Sequence, residues 1–415
     1  MDPPAQIGNA AEDPAGRWRA LAVLAAAAFL SMSTWFSASA VLPQLRVAWG
    51  LSSGMGALLT ISVQLGFVAG CLISAVFNVA DLVPPRRLML YGALGAAGVN
   101  LALVWSAGPG TALPLRFATG ASLALVYPPS LKAMSTWFRN ERGTALGVMV
   151  GALTLGSALP HLVNGLGGVE WRNVILSTSL LTLGGGLVAE YMGSDGPYPF
   201  PRAVFDSRQT VRTFANRGVR LATLRYFGHM WELYAMWTWF AVFFGDVLSR
   251  HSVRPSLEVQ QGAAFAAFAV IGAGGLGCCL AGVLADRWGR TRTTALSLAA
   301  SGGCALLIGL AGMPVKLVLA LGLIWGFWVV ADSAQFSTMV TEVADQSYVG
   351  TALTLQLAIG FTLTVLTIWL VPILRDSFGW YWAFASLAVG PAGGVVAMIR
   401  LMRSPEAARI AGGRG

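Results

Sequence analysis

An arginine, two carboxylates and two histidines fall inside long apolar runs of this sequence, and these side chains are the ones able to do chemistry. Arg116, Glu232 and Asp332 are the charged groups set deepest in such runs. A charge at the centre of a membrane costs roughly 2.5–3.5 kcal/mol or more, so each is a functional candidate by default. His229 and Glu232 lie three residues apart, share a helical face, and can exchange a proton or bridge a polar ligand. Asp332 heads a polar series with Ser333, Gln335 and Thr338. An isolated carboxylate there would take up a proton or pair with a cation, and Arg116 is one conceivable partner. His161 and Asn164 follow Pro160, while Thr34, Gln64 and Gln356 are neutral polar residues in other apolar runs. Such groups either bind a solute or hydrogen-bond helices together. Trp231, Tyr234 and Trp237 cluster around Glu232 and would line a pocket or face lipid.

Other chemistries lack their residues. Cys71, Cys278, Cys279 and Cys304 lie in apolar runs without a C-x-x-C pair, and three scattered histidines make no zinc pattern. The lysines, Lys132 and Lys316, follow Leu131 and Val315, so no phosphate-cradling G-K-[ST] loop exists. No nucleophile or metal constellation suggests an enzyme, and neither a metal nor a cofactor is expected. Any pumping would draw on an ion gradient or a partner.

The elements that hold these residues are set by composition. Of 415 residues, 56% are apolar and 11% charged, against about 25% charged in soluble proteins. That balance implies a polytopic, all-α membrane protein in a lipid bilayer. Hydropathy gives twelve spans near 18–43, 54–80, 88–107, 111–134, 143–165, 173–192, 220–246, 260–284, 293–312, 316–340, 348–372 and 380–401. They divide into an N-terminal tail 1–17, a six-helix bundle 18–192, a linker 193–219, a second bundle 220–401 and a tail 402–415. The linker carries Pro197, Pro199 and Pro201, then Arg202, Arg208, Arg212 and Arg217. The net charge of +9 would suggest nucleic acid in a soluble protein. Here most arginines flank spans on one side, among them Arg86, Arg87, Arg139, Arg142, Arg220, Arg225, Arg287, Arg290 and Arg292. This bias sets both termini on the cytoplasmic side, in a bacterial inner (plasma) membrane, and removes the nucleic-acid reading. A competing reading takes Leu21–Leu30 as a signal-peptide core, which would leave an odd number of spans.

The two halves echo each other at an offset near half the chain. Gly143-Thr144-Ala145-Leu146 recurs as Gly350-Thr351-Ala352-Leu353, Asp81 corresponds to Asp286, and Trp171 to Trp380. Three matches in register imply a duplicated unit, which suits two bundles rocking about a central site. After the eighth span the chain reads Gly282-Val283-Leu284-Ala285-Asp286-Arg287-Trp288-Gly289-Arg290-Thr291-Arg292. This resembles the G-x-L-A-D-R-x-G-R-x-[KR] loop of the major facilitator superfamily (MFS), matched at every defining position. Arg116-x-x-x-Gly120-x-x-x-Ala124 is similar to that superfamily's second motif. The resemblance covers nearly the whole chain and implies a twelve-helix transporter working as a monomer. It also implies that Asp286 meets the start of the fifth span near Gly143, making Gly282, Asp286, Arg287, Gly289 and Arg290 a conformational latch. The first-half copy contributes Asp81 to the latch but has Phe77, Leu82 and Pro84 where the motif has Gly, Arg and Gly, which implies a looser first-half contact.

These features point to a gradient-driven transporter of a small polar solute, with protons as coupling ion and an organic anion as cargo attracted by Arg116. A proton-coupled drug or metabolite efflux antiporter is the alternative. By resemblance such carriers hold a Gly-Pro pair in the fifth helix, where this chain has Leu159-Pro160. A non-transporting membrane sensor or assembly factor is a third reading, without a visible output module.

Overall fold

The computed structural model describes residues 14–139, 141–167, 170–198, 214–251, 256–345 and 349–413. Pro199, Pro201, Arg202, Arg208 and Arg212 of the expected linker, and the side chain of Asp81, lie outside the described residues. Eighteen α-helices run in chain order among those residues. The first ten are α1 Arg17–Ser31, α2 Ser37–Ala40, α3 Leu42–Trp49, α4 Ser53–Val76, α5 Val79–Leu82, α6 Pro85–Ala102, α7 Pro109–Leu123, α8 Tyr127–Ser135, α9 Arg142–Gly167 and α10 Trp171–Met192. The remaining eight are α11 Arg217–His251, α12 Ser256–Trp288, α13 Arg290–Leu307, α14 Val315–Ala331, α15 Gln335–Val343, α16 Val349–Phe378, α17 Trp380–Ala385 and α18 Val389–Met402.

Among the described residues, seven stretches are helical, long and apolar enough to cross a membrane: Ser53–Val76, Pro85–Trp105, Arg142–Leu166, Trp171–Met192, Ser256–Trp288, Thr351–Phe378 and Trp380–Met402. The other expected spans depart from that form for reasons visible in their residues. The 18–43 segment stops at Ser31, tightens into a 3₁₀ turn over Met32–Thr34, and resumes as α2 and α3. The 111–134 segment breaks between Leu123 and Tyr127, where Pro128 and Pro129 enter the first turn of α8; proline has no N–H to continue the ladder. The 316–340 segment breaks at Asp332–Ala334. α11 is 35 residues long but carries Arg217, Arg220, Arg225, Glu232, Asp246 and Arg250. α13 is an 18-residue helix that opens with Arg290 and Arg292. Broken backbone at membrane depth survives only when protein groups take its freed carbonyls.

Small residues set the packing. α4 packs on α7, and α12 packs on α9 and α14. A Cβ on Gly120 would run into the Val63 carbonyl, and one on Gly66 into the Phe117 carbonyl, so backbone meets backbone. Elements before residue 193 meet those after residue 216 along two main seams, α9 against α12 and α4 against α16.

Candidate functional site

Two buried arginines sit at two of the helix breaks. Arg116, on α7, is fully buried. Its Nη1 donates to the Thr34 carbonyl at 3.0 Å, to Ser37 Oγ at 3.0 Å and to Asn100 Oδ1 at 3.1 Å, and its Nη2 donates to the Trp35 carbonyl. Asn100 extends the network, donating to Ser179 Oγ at 2.9 Å and accepting from Ser37 Oγ at 2.7 Å. Among the described residues no carboxylate pairs with Arg116, and its partners all precede residue 117. The conceivable Arg116–Asp332 pair is therefore absent. The guanidinium is a clamp on the broken first helix: where Met32–Thr34 leaves the α ladder, the planar fork takes the two exposed carbonyls.

Arg225, on α11, is the counterpart that sequence reasoning missed. It was expected as a flanking charge on the membrane surface, yet it is fully buried two turns into its helix. Nη2 donates to the Asp332 carbonyl at 3.2 Å, Nη1 donates to Thr294 Oγ1 at 3.1 Å, and the guanidinium carbon lies 3.8 Å from the centre of the Phe336 ring. Arg225 thus holds the break between α14 and α15 as Arg116 holds the one after α1. Hydropathy could not separate it from Arg217 and Arg220, eight and five residues before it along the same helix.

Three of the expected titratable residues gather beside this second break. His229 Nδ1 approaches Asp332 Oδ1 at 3.0 Å, and His229 Nε2 shares a 3.0 Å hydrogen bond with Ser333 Oγ. The His229–Asp332 approach is close in distance but not aligned as a hydrogen bond, so both Asp332 carboxylate oxygens lack a hydrogen-bond donor. One turn along α11, Glu232 accepts from Trp325 Nε1 at 2.7 Å and from Ser301 Oγ at 2.8 Å. All three side chains are nearly inaccessible. Among the described residues, Glu232 is held by two neutral donors and no cation.

Other expected residues are dispersed. Asn164 donates to the Ala40 carbonyl at 2.8 Å and accepts from Gln44. Trp231 donates to the Ser386 carbonyl at 3.1 Å, a helix-joining contact with one side of the ring half-buried. Gln335 accepts from Arg290 at 3.0 Å. Thr34 is engaged through its carbonyl and through its hydroxyl, which accepts from Thr182 Oγ1 at 3.4 Å, whereas Gln64, His161 and the Gln356 amide nitrogen are buried with no hydrogen-bond partner among the described residues.

Aromatic rings join the two seams at the centre. Trp35, Phe36 and Phe67 contact Tyr234, Trp237 and Phe361: Phe67–Phe361 centroids are 4.7 Å apart, Phe36–Trp237 5.7 Å and Trp35–Tyr234 5.9 Å. The sequence flagged Tyr234 and Trp237 but not their partners. One turn beyond these rings lies a cavity of 440 Å³ whose walls include Ala40, Gln44, Arg46, Asn164, Ala241 and Asp246. At the far end of α12, Asp286 accepts from Thr144 Oγ1 at 3.3 Å, and a Cβ on Gly143 would overlap the Asp286 carboxylate. Gly289 turns the chain at φ 97°, a region only glycine enters freely. Arg287 is exposed, but Arg290, expected at the surface with it, is buried and pairs with Glu342 at 3.0 Å.

Long apolar helices, interrupted helices clamped by buried arginines, and carboxylates at membrane depth define an integral membrane protein built around a polar interior. Residues 24–253, more than half of the chain, match the family model of the Major Facilitator Superfamily, and the chain belongs to that superfamily of membrane transporters. A relative in Streptomyces coelicolor, the "Probable actinorhodin transporter", is 28% identical over 184 residues, covering 42% of this chain and 32% of that protein. The match thus spans about a third of the relative's length.

Proposed function

We propose that this chain is a proton-coupled secondary transporter carrying a small organic metabolite by alternating access. Two six-helix bundles, 18–192 and 220–401, rock about a central site, joined by the linker 193–219, with the tails 1–17 and 402–415 cytoplasmic in a bacterial inner membrane. The interrupted helices count as spans in this reading because their broken backbone is enclosed by protein. The single observation that carries the reading is the cavity at one end of the α9/α12 seam and the engaged Asp286–Thr144 contact at the other. One end is open and the other fastened, as one state of an alternating carrier requires.

Glu232 and the His229–Asp332 pair supply the proton sites, with His229 and Glu232 buried near the middle of α11, whose Tyr234 and Trp237 face the other bundle. The organic-anion reading named Arg116 as the cation that attracts the cargo. Both Arg116 and Arg225 direct their Nη donors at protein oxygens instead. The related S. coelicolor protein is by its printed name a probable actinorhodin transporter, which supports a transport role for this chain and keeps the drug or metabolite alternative in view.

The test is flux in proteoliposomes under an imposed pH gradient, with a panel of organic acids, amino acids and aromatic metabolites. Gradient-dependent movement of at least one class is expected; none for any compound would overturn the reading. The latch gives an independent check. Gly143→Val pushes a side chain into the Asp286 carboxylate and should loosen the α9/α12 seam. Cys279, whose Sγ lies against Gly151 in that seam, should then react faster with maleimide in a protein lacking its other three cysteines. Unchanged labelling would remove the latch role.

A further inference from the structure

We propose that the cargo is a planar, multi-ring aromatic molecule with hydrogen-bond-accepting oxygens and no required fixed charge. This rests on the transport reading and names the class of molecule its central site takes.

Away from the small-residue α9/α12 seam, the two sets of helices meet through rings. Trp35, Phe36 and Phe67 on one side meet Tyr234, Trp237 and Phe361 on the other. Tyr234 lies close to parallel with two rings of the opposite side, at 27° to Trp35 and 16° to Phe36, with centroids 5.9 and 6.2 Å away. When the bundles part, each side keeps a flat aromatic face that has lost its partner. A flat molecule restores stacking on both faces at once, whereas a puckered aliphatic one of equal size restores neither. Polar crossings between the two sets, Thr144–Asp286 and Ser53–Arg375, lie out toward the helix ends rather than in this layer.

Hydrogen-bonding groups at the layer have the matching sign. The indole N–H groups of Trp35 and Trp237 are buried without an acceptor, although Trp231, Trp239 and Trp325 all find one. Buried indole donors normally have partners, so two orphans in one ring layer mark positions for acceptor oxygens. Gln64, one turn from Phe67 on α4, is buried with both its amide oxygen and nitrogen unpartnered. Among the six rings no side chain is ionised, and the nearby Arg116 is bound to the backbone of Trp35 itself. The route in is also present. Ala40 and Ala241 in the cavity wall lie one helical turn beyond Phe36 and Trp237, so one turn of each segment separates the 440 Å³ cavity from the ring layer. That volume suits a molecule of two to three fused rings.

The experiment measures equilibrium dialysis of flavone, a planar ketone, against perhydroflavone, its saturated counterpart with the same ring skeleton, on the full chain in lipid nanodiscs, with empty discs as blank. Flavone should bind saturably and perhydroflavone should not. Replacing two rings, Trp35→Leu with Phe361→Leu, should weaken flavone binding about ten-fold or more. Trp35→Phe keeps a ring and removes the N–H, so it should weaken binding less than Trp35→Leu; it also serves if the double variant does not fold. Equal binding of perhydroflavone, or flavone binding unchanged by both Trp35 variants, overturns the proposal. Gradient-driven flux of a non-aromatic solute without flavone binding would sink the aromatic class and leave the transport reading standing. Saturable flavone binding without any gradient-driven flux would do the reverse.

Discussion

Arg116→Leu should yield a protein that melts well below the parent in detergent and transports nothing. The leucine fills the volume but leaves the Trp35 carbonyl with no donor, and strips the charged donor from Thr34, Ser37 and Asn100. Each buried acceptor left bare costs roughly 1–3 kcal/mol, offset in part because an unpaired buried cation is removed as well. A net loss of about 2–4 kcal/mol follows, which is large against the 5–15 kcal/mol of a typical fold. The functional loss has a separate cause. The break that Arg116 fastens is what turns Trp35 and Phe36 toward Tyr234 and Trp237. Arg116→Lys keeps the charge but replaces a planar fork by a point donor, so it should recover part of the stability and little of the transport. A thermal melt with a tryptophan fluorescence readout checks this; a leucine variant as stable as the parent would show that the clamp does not matter.

Glu232→Gln should have the opposite profile, with an intact fold and accumulation reduced to passive equilibration. Glutamine retains a carbonyl oxygen for the Trp325 N–H, and its amide can donate to the Ser301 hydroxyl, which rotates to accept. The melting behaviour should therefore stay close to the parent's. What disappears is the capacity to take up and release a proton. Glu232→Ala is the contrasting variant, since it orphans the buried Trp325 donor and should cost about 1–3 kcal/mol of stability as well. Paired measurements of melting and pH-driven uptake separate the two effects. Full accumulation by Glu232→Gln would exclude this side chain as a proton carrier.

How much of this was legible in the sequence depended on whether a residue's role is local. Glu232, Asp332 and His229 stood out because a titratable group inside an apolar run is conspicuous without knowledge of its neighbours. Their grouping was half visible: the three-residue spacing put His229 and Glu232 on one face, but Asp332 arrives from another helix 103 residues on. The Asp286 loop was legible because its turn needs Gly289 at positive φ and its close approach needs Gly143 and Gly282. The break after Ser31 was not. Met32-Ser33-Thr34-Trp35-Phe36 holds neither Gly nor Pro, and the irregular turn persists because Arg116, from a helix 80 residues away, takes its carbonyls. Arg225 was hidden differently, since two arginines just before it made it look like a continuing surface run. The ring layer was hidden because an aromatic residue in an apolar helix is ordinary until its partner is known. Trp35, Phe67 and Phe361 come from three separate helical segments.

Proton movement coupled to solute movement is the property that all of these residues are invoked to produce, and it can be measured directly. Proteoliposomes loaded with a pH-sensitive dye, at equal pH on both sides and with potential clamped by a potassium ionophore, would receive a gradient of a transported solute alone. The internal pH should shift as the solute moves, in the full chain and not in Glu232→Gln. Solute crossing at the same rate with no change in internal pH would contradict proton coupling outright.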